Sequence, residues 1–288
     1  MNSFESLSGL FAERFSRYRF PADPETLYAP NDYFLRLGGK RIRPVLCLMG
    51  NELFEEINED AYAVATAIEL FHNFTLIHDD IMDKAPLRRG MVTLHEKYGS
   101  STALLAGDVM LVAAYECLSG ISVSHLKPVM QVFNRTAREV CEGQQYDMDF
   151  ESRASVKLEE YIHMIELKTS VLLAASLQMG AIIGGAGESN QRKLYEFGRN
   201  LGIAFQVQDD YLDAFGDPEK FGKQVGGDIL SNKKTFLLIK AMEAAKGDDA
   251  LQLAELLQSS PSDKVEKMLG IFRRCGVDEW AISLKDRY

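Results

Sequence analysis

Phe74-Thr75-Leu76-Ile77-His78-Asp79-Asp80-Ile81-Met82-Asp83 is a helix-forming run that carries three carboxylates, and Phe205-Gln206-Val207-Gln208-Asp209-Asp210-Tyr211-Leu212-Asp213 repeats its form. A helix turns about 100° per residue, so Asp79 and Asp83 share a face one turn apart, as do Asp209 and Asp213. His72 falls near the first stripe, seven residues before Asp79, and Gln206 precedes Asp209 and Asp210 by three and four. A solvated face is the ordinary explanation for a lone acidic pair. Such a face would not be set among Phe71, Phe74, Leu76 and Ile77, or among Phe205, Val207 and Leu212. Isolated carboxylates are costly to bury. Two clusters directed at one cavity would repel each other unless something strongly positive lay between them. Hard divalent cations meet that need, because Mg²⁺ takes oxygen ligands and keeps waters and substrate phosphates in its shell. The duplicated cluster therefore predicts a site that grips a diphosphate through metal ions.

Outward from these clusters the pattern stays helical. Asn58-Glu59-Asp60 reads as a helix start, with Ala61, Val64, Ala65, Ile68, Phe71 and His72 following at helical spacing. Ser189-Asn190 starts another, and a third runs from about Lys157 through Tyr161, Met164, Lys168 and Leu172. No alternating segment bounded by turn pairs marks a strand. Glycine and proline punctuate the chain at Gly38-Gly39, Gly184-Gly185, Gly216-Asp217-Pro218 and Gly226-Gly227. With no linker or low-complexity stretch in 288 residues, the expected fold is one all-α domain.

Composition is that of a soluble globular protein, 46% hydrophobic and 26% charged. The net charge of −10 argues against nucleic acid as a partner and against a basic membrane-facing patch. Cys47, Cys117, Cys141 and Cys275 have neither zinc-ligand nor redox spacing and read as thiols of a reducing, cytoplasmic compartment. Met1 to Phe20 lacks the apolar segment of a signal peptide. Val171 to Gly187, the most apolar stretch, is interrupted by Gln178 and too short to span a membrane.

Four basic sites accompany the acids. Gly38-Gly39-Lys40-Arg41-Ile42-Arg43-Pro44 sets flexible backbone beside three cations, Arg88-Arg89-Gly90 follows the first cluster, Lys168-Thr169 sits mid-helix, and Lys223, Lys233 and Lys234 follow the second cluster. Arginine forks bind phosphate oxygens bidentately and lysines act as point charges.

These motifs, with Glu69-Leu70-Phe71-His72 and Leu87-Arg88-Arg89-Gly90, run in an order that resembles the trans-isoprenyl diphosphate synthases, the family of farnesyl and geranylgeranyl diphosphate synthases. The resemblance covers most of the chain. It implies an all-α helical bundle around a central cavity, a homodimer using Mg²⁺, with Mn²⁺ a substitute, that condenses an allylic diphosphate with isopentenyl diphosphate to a short-chain product, farnesyl or geranylgeranyl diphosphate. It implies that Asp79, Asp80, Asp83 and Asp209 hold metal, supported by Asp210 and Asp213. Arg88, Lys168, Lys223 and Lys233 would bind the allylic diphosphate. Lys40, Arg43, His72 and Arg89 would bind isopentenyl diphosphate, and Thr169 and Gln206 would face the allylic cation. Phe74, fifth before Asp79, would obstruct the growing tail, with Thr75 beside it and Phe71 one turn deeper as a second floor.

His78 abuts the cluster but points off its stripe and reads as a residue that either supports the cluster's carboxylates from behind or packs; His125 and His163 have no special context. Val92 stands where the family carries proline, and Gly143-Gln144 with Asp147 matches a further family pattern. Members usually continue beyond the point where this chain stops at Tyr288, so one synthase domain over 1–288, short of the family's C-terminal end, is expected. Two rivals are a class I terpene cyclase, which needs no isopentenyl site, and a non-catalytic subunit of a heteromeric synthase, which typically lacks one acidic cluster. Lys40, Arg43 and the intact second cluster favour condensation.

Overall fold

The computed structural model describes residues 1–216, 226–285 and 287–288. Helices dominate them, as the apolar spacing predicts. The chain divides into two compact units: residues 1–134 with 175–195, and residues 135–174 with 196–288.

The first unit opens with α1 (Phe4–Phe15), α2 (Glu25–Arg36), α3 (Ile42–Glu52) and α4 (Glu59–Met82). The expected cap of α4 is present: the Asn58 side chain accepts the Ala61 N–H at 3.0 Å, and Glu59 and Asp60 place negative charge on the first turn. The helix ends at Met82, where Lys84 turns to φ +51° two residues before Pro86. A short hairpin follows, β1 (Leu87–Arg88) against β2 (Met91–Val92). It is a correction to the strand-free expectation. Its two central residues, Arg89 and Gly90, both have positive φ (+54° and +77°), as a tight two-residue hairpin requires. Then come α5 (Leu94–Tyr98) and α6 (Ser100–Ser119), which packs along α4.

Helices α7 (Val123–Ser152), α9 (Val171–Ile183) and α10 (Glu188–Phe215) supply residues to both units. In the first unit α9 lies almost backbone-to-backbone on α3: a Cβ at Gly180 would sit 1.9 Å from the Cys47 carbonyl oxygen, and one at Gly50 2.4 Å from that of Leu177. Only glycine permits so close an approach.

The second unit contains α8 (Leu158–Ile165), which passes through a π-helical turn (Glu166–Ser170) into α9. The sequence reads this span as uninterrupted helix. The unit continues with the second half of α10, then α11 (Gly227–Leu230), α12 (Phe236–Ala244), α13 (Asp248–Gln258), α14 (Lys264–Arg274) and α15 (Val277–Lys285). Its core is one cluster that includes Tyr161, Ile203, Val207, Phe236, Leu253, Met268, Phe272 and Val277. Two helical stretches, Ser100–Ser119 and Leu158–Ile183, are long and apolar enough to cross a membrane, and 78% of the second is buried inside the protein.

The α3–α9 contact predicts unequal glycine substitutions. Gly180→Ala forces two backbones apart and should cost on the order of 1–3 kcal/mol, several degrees of melting temperature. Gly9→Ala, in α1 with nothing within 4 Å, should be neutral or stabilising. Thermal melts of the two variants check the difference.

Candidate active site

In the first unit the sequence brings four arginines around one histidine. Arg41 caps α3 in a left-handed conformation, φ +51°, and turns into the protein. There it pairs with buried Glu69 of α4 and donates to the Leu35 carbonyl at 3.2 Å. Glu69 in turn accepts from Asn73 Nδ2 at 2.9 Å. Arg41, one of three cations in its run, is therefore neutralised.

Arg43 is not. Its Nη1 lies 3.2 Å from His72 Nε2, and its Nε is buried without an acceptor. Burial lowers the Arg43 pKa to about 10, with Glu69 opposing, so it stays charged near neutrality. Burial, then Arg43, Arg89, Arg88 and Arg41, hold His72 well below its usual range. His72 is thus neutral at pH 7; it accepts from Arg43 through Nε2, and its proton sits on Nδ1. Arg89 reaches back from the hairpin turn so closely that a Cβ on Gly39 would lie 2.9 Å from its guanidinium. Burial and then the Arg41 charge lower the Arg89 pKa. Among the described residues no ion pair involves Lys40, Arg43 or Arg89. Guanidinium groups gathered around a neutral imidazole offer the charge and donors that a multiply charged anion could accept.

The first acidic cluster sits at the C-terminal end of α4. Asp80 is buried, and Arg88 engages both its oxygens, Nε at 2.9 Å from each and Nη2 at 2.8 Å from Oδ1. Arg88, expected on a diphosphate, spends its guanidinium on Asp80, and Asp80, expected on metal, faces inward to meet it. Asp79 is half-buried and Asp83 exposed.

The second unit builds a different site around the π turn. A Cβ on Gly143 of α7 would lie 2.3 Å from the Lys168 nitrogen, and one on Gly202 of α10 2.5 Å from Ser170 Cα. Held between these backbones, Lys168 Nζ reaches Asp147 Oδ2 at 2.6 Å, and Thr169 Oγ1 donates to Gln206 Oε1 at 3.3 Å. Gln206 Nε2 donates to Asp210 Oδ1 at 2.8 Å, and the Tyr161 hydroxyl donates to Asp210 Oδ2. Asp210, expected near metal, has both oxygens occupied. Asp213 Oδ2 accepts the Asp228 N–H at 3.0 Å.

Tyr161 and Asp228, which contact the second acidic cluster, were missed by sequence reasoning. Tyr161 passed as one more apolar-face residue of its helix. Asp228 was hidden behind Gly226-Gly227, which read only as a turn. Lys223 lies outside the described residues, and Lys233 is exposed. Phe74, Phe71 and Thr75 also separate. Phe71 is core, its ring 5.2 Å from Phe133, while Phe74 packs at 5.6 Å on Phe71 and 4.7 Å on His78. The Thr75 hydroxyl donates to the His72 carbonyl at 2.8 Å. His125 has a partner after all, Asp60 at 2.8 Å.

The polyprenyl synthetase family model matches residues 24–272. The chain belongs to this family. It is 40% identical over 282 residues to a short-chain isoprenyl diphosphate synthase of Methanothermobacter thermautotrophicus, which covers 98% of this chain and 87% of the relative. Among solved structures it is similar to a geranylgeranyl pyrophosphate synthase, with 46% identity, a TM-score of 0.94 and coverage of 100% and 90% of the two chains. It is also similar to a polyprenyl synthase from Caulobacter crescentus complexed with calcium and isoprenyl diphosphate, at 26% identity and TM-score 0.89, covering 99% and 89%.

Among the described residues of this polyprenyl synthetase, no three metal-ligating side chains converge closely enough to hold an ion as they stand. The donor chemistry nevertheless suits one. Burial raises the Asp228 pKa, as do Asp213, Asp209 and Asp147 against the opposing charge of Lys233. Burial and then Asp228 raise the Asp210 pKa to about 7, against Tyr161, Lys233 and Gln206. Oxygen donors that repel one another in a buried setting are what a hard divalent cation relieves.

A carboxyl raised from its ordinary 3.8 to about 7 favours the folded state fully only below about pH 4, and that contribution is lost as pH climbs toward 7. In chelator, wild-type melting temperature should fall between pH 5 and 8 by several degrees more than that of Asp210→Asn. Added Mg²⁺ should recover most of the loss at pH 8. Parallel pH profiles for the two proteins would refute the buried-carboxyl assignment.

Proposed function

We propose that this chain condenses an allylic diphosphate head-to-tail with isopentenyl diphosphate, as a short-chain trans-prenyltransferase. The observation that carries this reading is the pair Arg43 and Arg89 beside neutral His72, neither of them in an ion pair among the described residues, in addition to the carboxylates. A cyclase handles one diphosphate and has no use for a separate cationic receptor, and a non-catalytic subunit has no use for two intact clusters.

In this mechanism Arg43, Arg89 and Lys40 bind the isopentenyl diphosphate, and His72 adds its Nδ1–H as a donor. Asp79, Asp83, Asp209 and Asp213 would hold divalent cations, Mg²⁺ or Mn²⁺, whose bound form neutralises the charge that develops on the departing allylic diphosphate. The calcium in the Caulobacter crescentus complex supports a hard cation in this family. Asp80 and Asp210, locked by Arg88 and by Tyr161 with Gln206, hold their helices' outer carboxylates in place. Lys168 and Lys233 carry positive charge for the allylic diphosphate, as Lys223 would. Thr169 and Gln206 present oxygen dipoles for an allylic cation, and the isopentenyl double bond attacks that cation before a proton is lost to the diphosphate.

The product we assign is geranylgeranyl or farnesyl diphosphate, supported by the likeness to a geranylgeranyl pyrophosphate synthase. The active form we assign is a homodimer. The exposed Leu104, Leu105, Val112 and Tyr115 of α6 give a second copy an apolar face to cover. The free thiols of all four cysteines suit a cytoplasmic setting.

Incubation with labelled isopentenyl diphosphate, Mg²⁺ and an allylic primer tests the reading. Chain elongation is expected; a cyclic hydrocarbon from primer alone would overturn it. Asp79→Asn and Asp209→Asn should each keep the fold by circular dichroism and lower kcat by a factor on the order of a thousand. Phe74→Ala should lengthen the product by removing a large side chain from an apolar pocket, as chromatography of the hydrolysed products would reveal.

A further inference from the structure

His78 has no place in the mechanism above, yet it is half-hidden in a contact with no slack. Its side chain leaves α4 toward α6. Nε2 lies 3.1 Å from the Leu104 carbonyl oxygen and 3.7 Å from Asp108 Oδ1. A carbonyl only accepts, so Nε2 carries a proton and donates. The space it fills exists because residue 107 is glycine: a Cβ there would lie 2.4 Å from Nε2 and 2.5 Å from Cδ2. On its other side the imidazole meets the Phe74 ring edge-on, centroids 4.7 Å apart at 64°.

Phe74 thus has two rings against it, Phe71 at 5.6 Å and His78 at 4.7 Å. They are not equivalent. Phe71 is 1% exposed and backed by Phe133, whose ring lies 5.3 Å from Tyr115. That side is anchored in the core. On the other side Phe74 meets an imidazole that is itself placed by its hydrogen bond to the Leu104 carbonyl and by the missing side chain at Gly107. Removing that imidazole opens space on the α6 side into which the Phe74 ring can move.

We propose that His78 is a positioning residue for product length: it wedges between Phe74 and the Leu104–Gly107 turn of α6 and so fixes how far the Phe74 ring stands in the way of the growing tail. The inference rests on the reading of Phe74 as the end of the product pocket. It assigns His78 no contact with substrate, metal or the reacting atoms.

The test compares product distributions of the wild type, His78→Ala, His78→Gln, Gly107→Ala, Phe74→Ala and the double variant His78→Ala/Phe74→Ala, each with a melting temperature. His78→Ala should raise the proportion of products at least one isoprene unit longer by threefold or more, with the KM for isopentenyl diphosphate within twofold of wild type. Gly107→Ala expels the same imidazole from the α6 side and should shift the distribution in the same direction, so it carries the test if His78→Ala does not fold. His78→Gln, which keeps a donor for Leu104 and much of the volume, should return at least half of the shift. In the Phe74→Ala background, His78→Ala should add less than a 1.5-fold further change, because it acts through that ring. Distributions within 1.5-fold of wild type in both His78→Ala and Gly107→Ala would overturn the proposal. So would a His78→Ala effect of full size in the absence of the Phe74 ring. A wild type that elongates nothing would instead overturn the underlying reaction assignment, and that result is recognisable because no product forms at all.

Discussion

A carboxylate in the interior of a helix must be given partners on the spot, and two of them organise this molecule. Asp80 and Asp210 are the middle acids of their clusters, and both are buried. Their solutions differ. Asp80 meets a guanidinium delivered by a two-residue hairpin, while Asp210 meets two neutral donors, Tyr161 and Gln206. An ion pair cancels charge inside the fold. Neutral donors orient a carboxyl without cancelling its charge, so burial and the neighbouring Asp228 still lift the Asp210 pKa to about 7. The first arrangement is complete without a ligand, and the second leaves charge for a ligand to settle.

Much else follows from delivering those partners. Arg88 reaches Asp80 only if the chain reverses within two residues after β1, which forces Arg89 and Gly90 into left-handed conformations. The same reversal throws the Arg89 side chain back against Gly39. One turn therefore serves two purposes: it neutralises an aspartate and adds an uncancelled cation to the set around His72. At the other site Tyr161, Thr169 and Gln206 reach their partners because Gly143 and Gly202 admit neighbouring backbones at distances that any side chain would block.

The α4 helix was legible in the sequence because several levels agreed: an Asn58 cap, acids on the first turn and apolar residues at helical spacing. The acidic stripes and the cationic runs were legible by residue type and order. What each cation does was not. Arg41 and Arg43 stand two residues apart in one charged run, and only the fold reveals that Arg41 pairs with Glu69 while Arg43, in no ion pair among the described residues, meets His72. Asp228 was illegible because its setting comes from carboxylates remote in sequence, Asp213, Asp209 and Asp147. The π turn was invisible for a related reason. Its residues, Glu166 to Ser170, have ordinary helical composition, and the extra residue is accommodated by close packing that no local propensity encodes.

That turn has a consequence for angular phase. On an uninterrupted helix, Tyr161 and Thr169, eight residues apart, would point about 80° away from each other. A π turn absorbs roughly one extra residue without advancing the helix's rotation by a full step, which brings the offset down to about 20°. Both side chains can then address the same neighbour, and they do: Tyr161 reaches Asp210 and Thr169 reaches Gln206, one turn apart on α10. The wider coil works as a vernier between two helical scales, setting a hydroxyl against each of two consecutive rungs that an ideal helix could not reach together.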